Sequence, residues 1–395
     1  MPPKSLGGIY DDLGVATAVD VTLGEETVRI GVAGSASNMV VRSLGDKRRK
    51  FRKAFHRRLN RLSAVYPPGD AHRRVIRTLL MRELPQPSNW QGAYAELAAY
   101  DYLNLPLQRC PNEHFGPLQL HVNLPASRSL GESGRSGTVN LDGFLDEWGV
   151  FFEVKALKDS STEFIVRIES ELQRTTDWQS FVMSASYSRD ISPEELQPHR
   201  KQILRELESK ITPGSTRGVR IECVPGLSFQ VLWGRGAITS CGYYNPYRHA
   251  DAFHKLALGH HSDQFVKDAP FLLVWVLNPW FNSLITDFVN RDGVFYRALS
   301  RRLFCQYKHA SQRFSELRPD FRGPETTYEV CRKLSGVLFL EDSSITDRCP
   351  SSANVRAFMY LNPNADNRVP PEFVEVYGRI LRDSLRTEDF VHDNY

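Results

Sequence analysis

Two strand-like runs, 138–145 and 149–157, meet at Asp146-Glu147-Trp148-Gly149, and this hairpin constrains the chain more than any other segment. With Glu147-Trp148 as the loop and Asp146 facing Gly149, Asp142 falls directly opposite Glu153, and Asn140 opposite Lys155. Directly opposed side chains lie about 5 Å apart, and residues two apart on one strand share a face about 6–7 Å apart. The other face reads Leu141, Gly143, Leu145, Phe152, Val154 and Ala156, the composition of a core. Two acids and an amine therefore interrupt an otherwise apolar hairpin, in a register that a one-residue slip would break. Facing carboxylates repel unless a cation lies between them. Oxygen ligands select Mg2+ or Mn2+ over zinc. The competing reading is an internal Glu153–Lys155 salt bridge with Asp142 exposed.

A third acid precedes the hairpin. Residues 90–103 read as a helix rich in small residues, stopped by Pro106. Glu96 shares a face there with Gly92, Ala93, Ala99, Tyr100 and Leu103. A carboxylate on the packed side of a helix is costly unless paired. If the helix crosses the hairpin, Glu96 reaches the same cation.

This order, a helix acid, then a strand Asp, then a strand Glu-x-Lys, resembles the PD-(D/E)xK phosphodiesterase superfamily over about residues 88–158. The literal motif differs in that Asn140-Leu141-Asp142 has no Pro before the Asp. The resemblance implies a mixed α/β fold: a restriction-endonuclease-like core sheet flanked by helices. It implies that Asp142 and Glu153 bind Mg2+ (or Mn2+), that the Val154 carbonyl joins them, and that Glu96 ligates through water. Lys155 would orient or deprotonate the attacking water. A Gln or Lys from the following helix can reach the phosphate in related nucleases; Gln264, Lys255 and Arg248 are the candidates, though surface placement is the default reading for all three. His260-His261 with Asp263 reads as helix-end polarity, because adjacent histidines do not share a helix face. A second Glu-x-Lys, Glu208-Ser209-Lys210, reads as surface.

Around this core the expected organisation has three parts. Residues 1–86 hold a hairpin at 15–33 and two basic helices, 44–64 and 71–83. Residues 87–305 form the nuclease core, interrupted by an α+β insertion at about 160–240 and resumed by a helix at 246–267 and the strand 271–277. Residues 306–395 carry strands at 336–341 and 355–361 that extend the core or contact a partner.

Charge is unevenly spread. Residues 42–61 hold ten Lys/Arg against Asp46 alone, +9 in a chain whose net charge is +4, which leaves the remainder at −5. Phe51, Phe55, Leu59 and Leu62 recur at helical spacing inside that block, so its helix is amphipathic with the aromatics inward. A basic face fits a polyanion, gripped through phosphates without reading sequence. Arg48, Arg49, Lys50, Arg52, Lys53, Arg57 and Arg58 are the candidate contacts.

The function expected is metal-dependent cleavage of nucleic acid, with DNA the expected polymer and endonucleolytic attack the expected mode. The alternatives are an RNA endonuclease and an inactive nuclease-fold module that binds nucleic acid or a protein partner. Nucleic acid is the expected partner, and the sequence leaves a protein partner or a homo-oligomer open. No apolar run approaches a membrane span and no signal segment opens the chain, so an intracellular protein without a membrane partner is expected, cytoplasmic, or nuclear in a eukaryote. The six scattered cysteines lack a C-x-x-C pair and read as reduced thiols.

Overall fold

The computed structural model describes residues 18–31, 38–45, 49–86, 88–110, 115–131, 137–158, 160–178, 181–188, 191, 193–233, 246–278, 282, 293–342, 355–381, 385–388 and 390. Its centre is a mixed sheet of seven strands, assembled from both halves of the chain. These are β3 (Gln119–Pro125), β4 (Thr138–Leu145), β5 (Val150–Ala156), β9 (Phe271–Leu277), β10 (Gly336–Asp342), β11 (Val355–Leu361) and β12 (Leu385–Glu388). The spatial order is β12-β11-β10-β9-β5-β4-β3. The interior strands β5, β9 and β10 run parallel. Fully apolar β9 is buried at every residue, as a strand covered on both faces must be. The C-terminal strands thus extend the sheet, and β10 lies inside it between β9 and β11.

Two apolar layers cover the faces. One contains α1 (Arg49–Val65), α3 (Trp90–Leu103) and α6 (Pro371–Leu381), and meets the sheet at Phe152, Val154, Val274 and Leu338. The other contains α4 (Pro246–His261) and α5 (Val294–Cys305), and meets the sheet at Phe151, Leu273, Trp275 and Phe339. The expected N-terminal hairpin is β1 (Ala18–Leu23) paired with β2 (Glu26–Gly31), closed at Gly24, whose φ of 65° suits a two-residue turn. Buried Arg73, from α2 (Ala71–Thr78), ties this hairpin down by donating to the Leu23 carbonyl at 2.8 Å and the Tyr66 carbonyl at 3.0 Å. The hairpin, α1 and the sheet share one apolar cluster, so residues 1–86 have no core of their own among the described residues.

The insertion has a core of its own. A three-stranded sheet of order β6-β8-β7 combines β6 (Phe181–Tyr187), β7 (Val219–Arg220) and β8 (Leu227–Trp233). It packs against the helices Ser160–Thr175 and Arg200–Lys210 around Phe164, Ile168, Leu207 and Phe229. Glu208 and Lys210 lie on its exposed surface.

Phe51, Phe55, Leu59 and Leu62 of α1 are buried as the spacing predicts. Arg58 corrects the charge reading. Rather than facing a polyanion, it lies on the buried side of α1. It donates to Asp342 Oδ2 at 2.7 Å, beside the Tyr94 hydroxyl on the same oxygen, and to Asp101 Oδ2 at 3.4 Å. Arg61 completes the knot with a two-pronged bond to Asp101 at 2.7 and 2.6 Å. A four-residue period alone cannot distinguish an arginine on the solvent face from one facing a buried acid 284 residues away. Lys53 and Arg57 are exposed and Arg52 is half-buried; the side chains of Arg49 and Lys50, and all of Arg48, lie outside the described residues.

Removing Arg58 strips the guanidinium from a fully buried carboxylate, so Arg58→Ala should cost about 3–5 kcal/mol. Exposed Arg57→Ala should stay within about 0.5 kcal/mol. Urea unfolding followed by circular dichroism compares the two.

Candidate active site

The hairpin register matches the sequence reading: Leu145 faces Val150, Phe144 faces Phe151 and Gly143 faces Phe152. Gly143 is required at that point, since a Cβ there would lie 2.3 Å from the Phe152 ring. One residue further the backbone ladder stops and two carboxylates replace it. The Asp142 amide donates to Glu153 Oε2 at 3.2 Å, and the Val154 amide donates to Asp142 Oδ2 at 2.7 Å. Each acid thus caps the opposite strand. Because the strands stop pairing here, the expected opposition of Asn140 and Lys155 is not continued. Asn140 instead faces Asn123 of β3 and donates to its side chain at 3.1 Å. The structural part of Val154 is its amide.

Glu96 reaches this patch from α3, as expected of a helix crossing the hairpin. The Tyr100 hydroxyl, one turn on, lies 3.0 Å from Glu96 Oε2 and 3.2 Å from the Asp142 carbonyl, and donates to one or the other. Lys155 donates to Glu153 Oε1, and so does Gln264. The surface reading of Gln264 is therefore corrected. α4 ends at His261, and the following single turn, Ser262–Gln264, swings the Gln264 amide back over β5. That turn is anchored on both sides. Arg318 grips Asp263 with bonds of 2.5 and 2.7 Å, and the Gly131 amide donates to the Asp263 carbonyl at 3.1 Å. Lys255 is exposed, and the Arg248 side chain lies outside the described residues.

His121 was missed from sequence. It sits in β3, where its partner in register would be Asp142, but its φ of 52° breaks the ladder between the Leu120–Gly143 and Val122–Leu141 pairs. Its Nε2 lies 3.2 Å from Glu96 Oε2. The signal was available: Leu118, Leu120, Val122 and Leu124 alternate with polar residues, which marks a half-buried strand with His121 on its polar face.

The electrostatics are unbalanced. Burial, then the Glu153 and Glu96 charges, pushes the Asp142 carboxyl well above the usual range, against the pull of Lys155 and the Val154 amide. Burial opposes the Lys155 charge, but Glu153 and then Asp142 outweigh it and raise its pKa, so Lys155 is an ammonium at neutral pH. Burial and then the Lys155 charge lower His261 to about 3, leaving a neutral imidazole on that side. Ligand atoms of Glu96, His121 and Asp142 all lie within 4.8 Å of one another. Clustered carboxylates of this kind suit a hard divalent cation such as Mg2+ or Mn2+.

No known family model, curated protein or solved structure matches this chain. Among the described residues no helix is long and apolar enough to cross a membrane, and Cys110, Cys223, Cys305 and Cys331 are free thiols.

Without metal, ionised Asp142 opposes folding. A carboxyl whose folded pKa is raised binds more protons folded than unfolded, so its penalty is absent below the unfolded pKa, grows as pH rises toward the folded pKa, and is fully present above it. Asn keeps the oxygen that accepts from Val154. Asp142→Asn should therefore raise the melting temperature of the metal-free protein at neutral pH, where a typical substitution loses about 1 kcal/mol. The advantage should shrink as pH falls. Calorimetry from pH 8 to pH 4 checks both.

Proposed function

We propose that this chain is a metal-dependent nuclease of the PD-(D/E)xK type, with a restriction-endonuclease-like core, that hydrolyses phosphodiester bonds in nucleic acid. The observation that carries this reading is the convergence of Glu96, Asp142, Glu153 and Lys155 from one helix and two strands, in the expected register, with the strand ladder opened at the acids.

A bound divalent ion would neutralise charge developing on the phosphate and lower the pKa of water. Asp142 and Glu96 hold two carboxylates toward it, and His121 stands beside them. Glu153 has a different part from that of a bare ligand. One oxygen takes Lys155 and Gln264 and the other takes the Asp142 amide, so it fixes the position of its neighbours. Lys155, charged and anchored, offsets negative charge on the non-bridging phosphate oxygens. Its raised pKa makes it a poor base, so of the two roles the family allows, orientation and charge compensation is the better supported. Tyr100, its hydroxyl proton held by burial beside Glu96 and Asp142, orients Glu96.

DNA is the expected polymer and endonucleolytic cleavage the expected mode. The basic helix supports a polyanionic substrate through Arg52, Lys53 and Arg57, with Arg49, Lys50 and Arg48 as further candidates, while Arg58 and Arg61 belong to the fold.

The test is cleavage of plasmid, linear duplex, single-stranded DNA and RNA with Mg2+ or Mn2+. Lys155→Ala and Asp142→Asn should each lower the rate by about 100-fold or more while binding persists. Equal cleavage by all three proteins overturns the catalytic assignment. Binding without cleavage by the wild type supports the module reading instead. Binding should weaken steeply with salt, and Lys53→Ala and Arg57→Ala should each reduce the salt slope by about one.

A further inference from the structure

His121 stands apart from the residues that the hairpin motif explains. It is the nitrogen donor in the cluster, and it comes from a strand outside the motif. Three features of its setting bear on its role. First, the charge count on its side of the site is complete for a divalent ion. Glu153 is matched by Lys155, which leaves Asp142 and Glu96 as two unmatched carboxylates; a neutral imidazole adds a donor without adding charge. Second, the spacing is that of neighbouring ligands. Donors about 2.1–2.2 Å from an octahedral ion lie roughly 3 Å apart at adjacent corners, and His121 Nε2 is 3.2 Å from Glu96 Oε2. Third, the imidazole is 35% exposed and Glu96 18%, so the pair is open to an ion arriving from solvent. So open a side chain contributes little to the core, yet its backbone adopts a left-handed conformation that L residues avoid, at a cost of about 1–3 kcal/mol.

We propose that His121 is a direct imidazole ligand of the catalytic ion, forming with Glu96 and Asp142 a mixed nitrogen–oxygen site that takes Mn2+ in preference to Mg2+. The proposal rests on the metal-dependent reading above and deepens it. Mg2+ dehydrates reluctantly and favours an all-oxygen shell. A nitrogen donor shifts the preference toward first-row transition ions, of which Mn2+ is the one that also accepts carboxylates readily. The neighbours of the imidazole are consistent with this role. Glu96 is the group bonded to it, Asp142 stands across the break in the ladder, and Tyr100 holds Glu96 in place.

The experiment is Mn2+ binding to the full chain without nucleic acid. Pulsed electron paramagnetic resonance of the Mn2+-loaded wild type should show nitrogen coupling, and calorimetry should give tighter binding of Mn2+ than of Mg2+. His121→Gln should abolish the coupling and weaken Mn2+ by about tenfold or more, with a smaller effect on Mg2+. His121→Gly provides a second variant whose folding is secure, because glycine adopts the positive φ freely. It should lose the nitrogen signal with no loss of melting temperature. Mn2+ that binds the wild type without nitrogen coupling, or coupling that survives in both variants, overturns the His121 assignment and leaves the nuclease reading standing. Mn2+ binding unchanged by Asp142→Asn, or no Mn2+ binding at all, overturns the His121 assignment together with the metal-dependent reading beneath it.

Discussion

Two carboxylates facing each other across a buried strand pair are the constraint on which this structure turns. In an ordinary antiparallel ladder the amides of Asp142 and Val154 would bond to backbone carbonyls. Here they bond to the side chains of Glu153 and Asp142, so the acids are structural parts of the sheet. The arrangement opens the strand ladder at the acids. It also keeps the carboxylates within a few ångströms of one another, where burial and then their mutual repulsion raise the Asp142 pKa. That unrelieved charge is what distinguishes this patch from a satisfied salt bridge. The Glu153–Lys155 bridge does form, but Asp142 remains largely buried and without a facing side-chain cation of its own.

The contrast lies within the same sheet. Asp342 is as buried as any residue in the protein, yet Arg58 and the Tyr94 hydroxyl both meet its Oδ2. Asp101 is likewise held by Arg58 and Arg61. There the acids are matched, and the result is an anchor that fastens α1 to the end of β10. Breaking such a pair is destabilising, whereas neutralising Asp142 relieves repulsion. The direction of the stability change separates an anchor from a site more sharply than burial does.

The remaining architecture serves to hold the two edges of the patch. On one side α3 brings Glu96 and Tyr100. On the other, the turn after α4 brings Gln264, clamped through Asp263 by Arg318 and by the backbone at Gly131. The inserted unit interrupts the sequence between Lys155 and α4 without interrupting the sheet, because it buries its own apolar surface and β5 pairs directly with β9.

Much of this was legible in the residues. The hairpin register followed from one turn and two strands. The packed face of α3 followed from its small residues, and the inward aromatics of α1 from their spacing. These are short-range consequences of backbone geometry, with periods of 2 and 3.6 residues, and a linear string carries them. What the string does not carry is which distant charge a side chain will meet. Arg58 looks like Arg57 until Asp342 arrives from 284 residues away. Gln264 looks like surface until the end of α4 turns it over β5, and His121 looks like an ordinary polar strand residue until its φ and Glu96 give it a partner. Periodicity determined the elements and the opposed acids. Only the tertiary structure decided which polar groups were matched and which were not, because electrostatic pairing depends on distance in space, which long-range strand order alone sets.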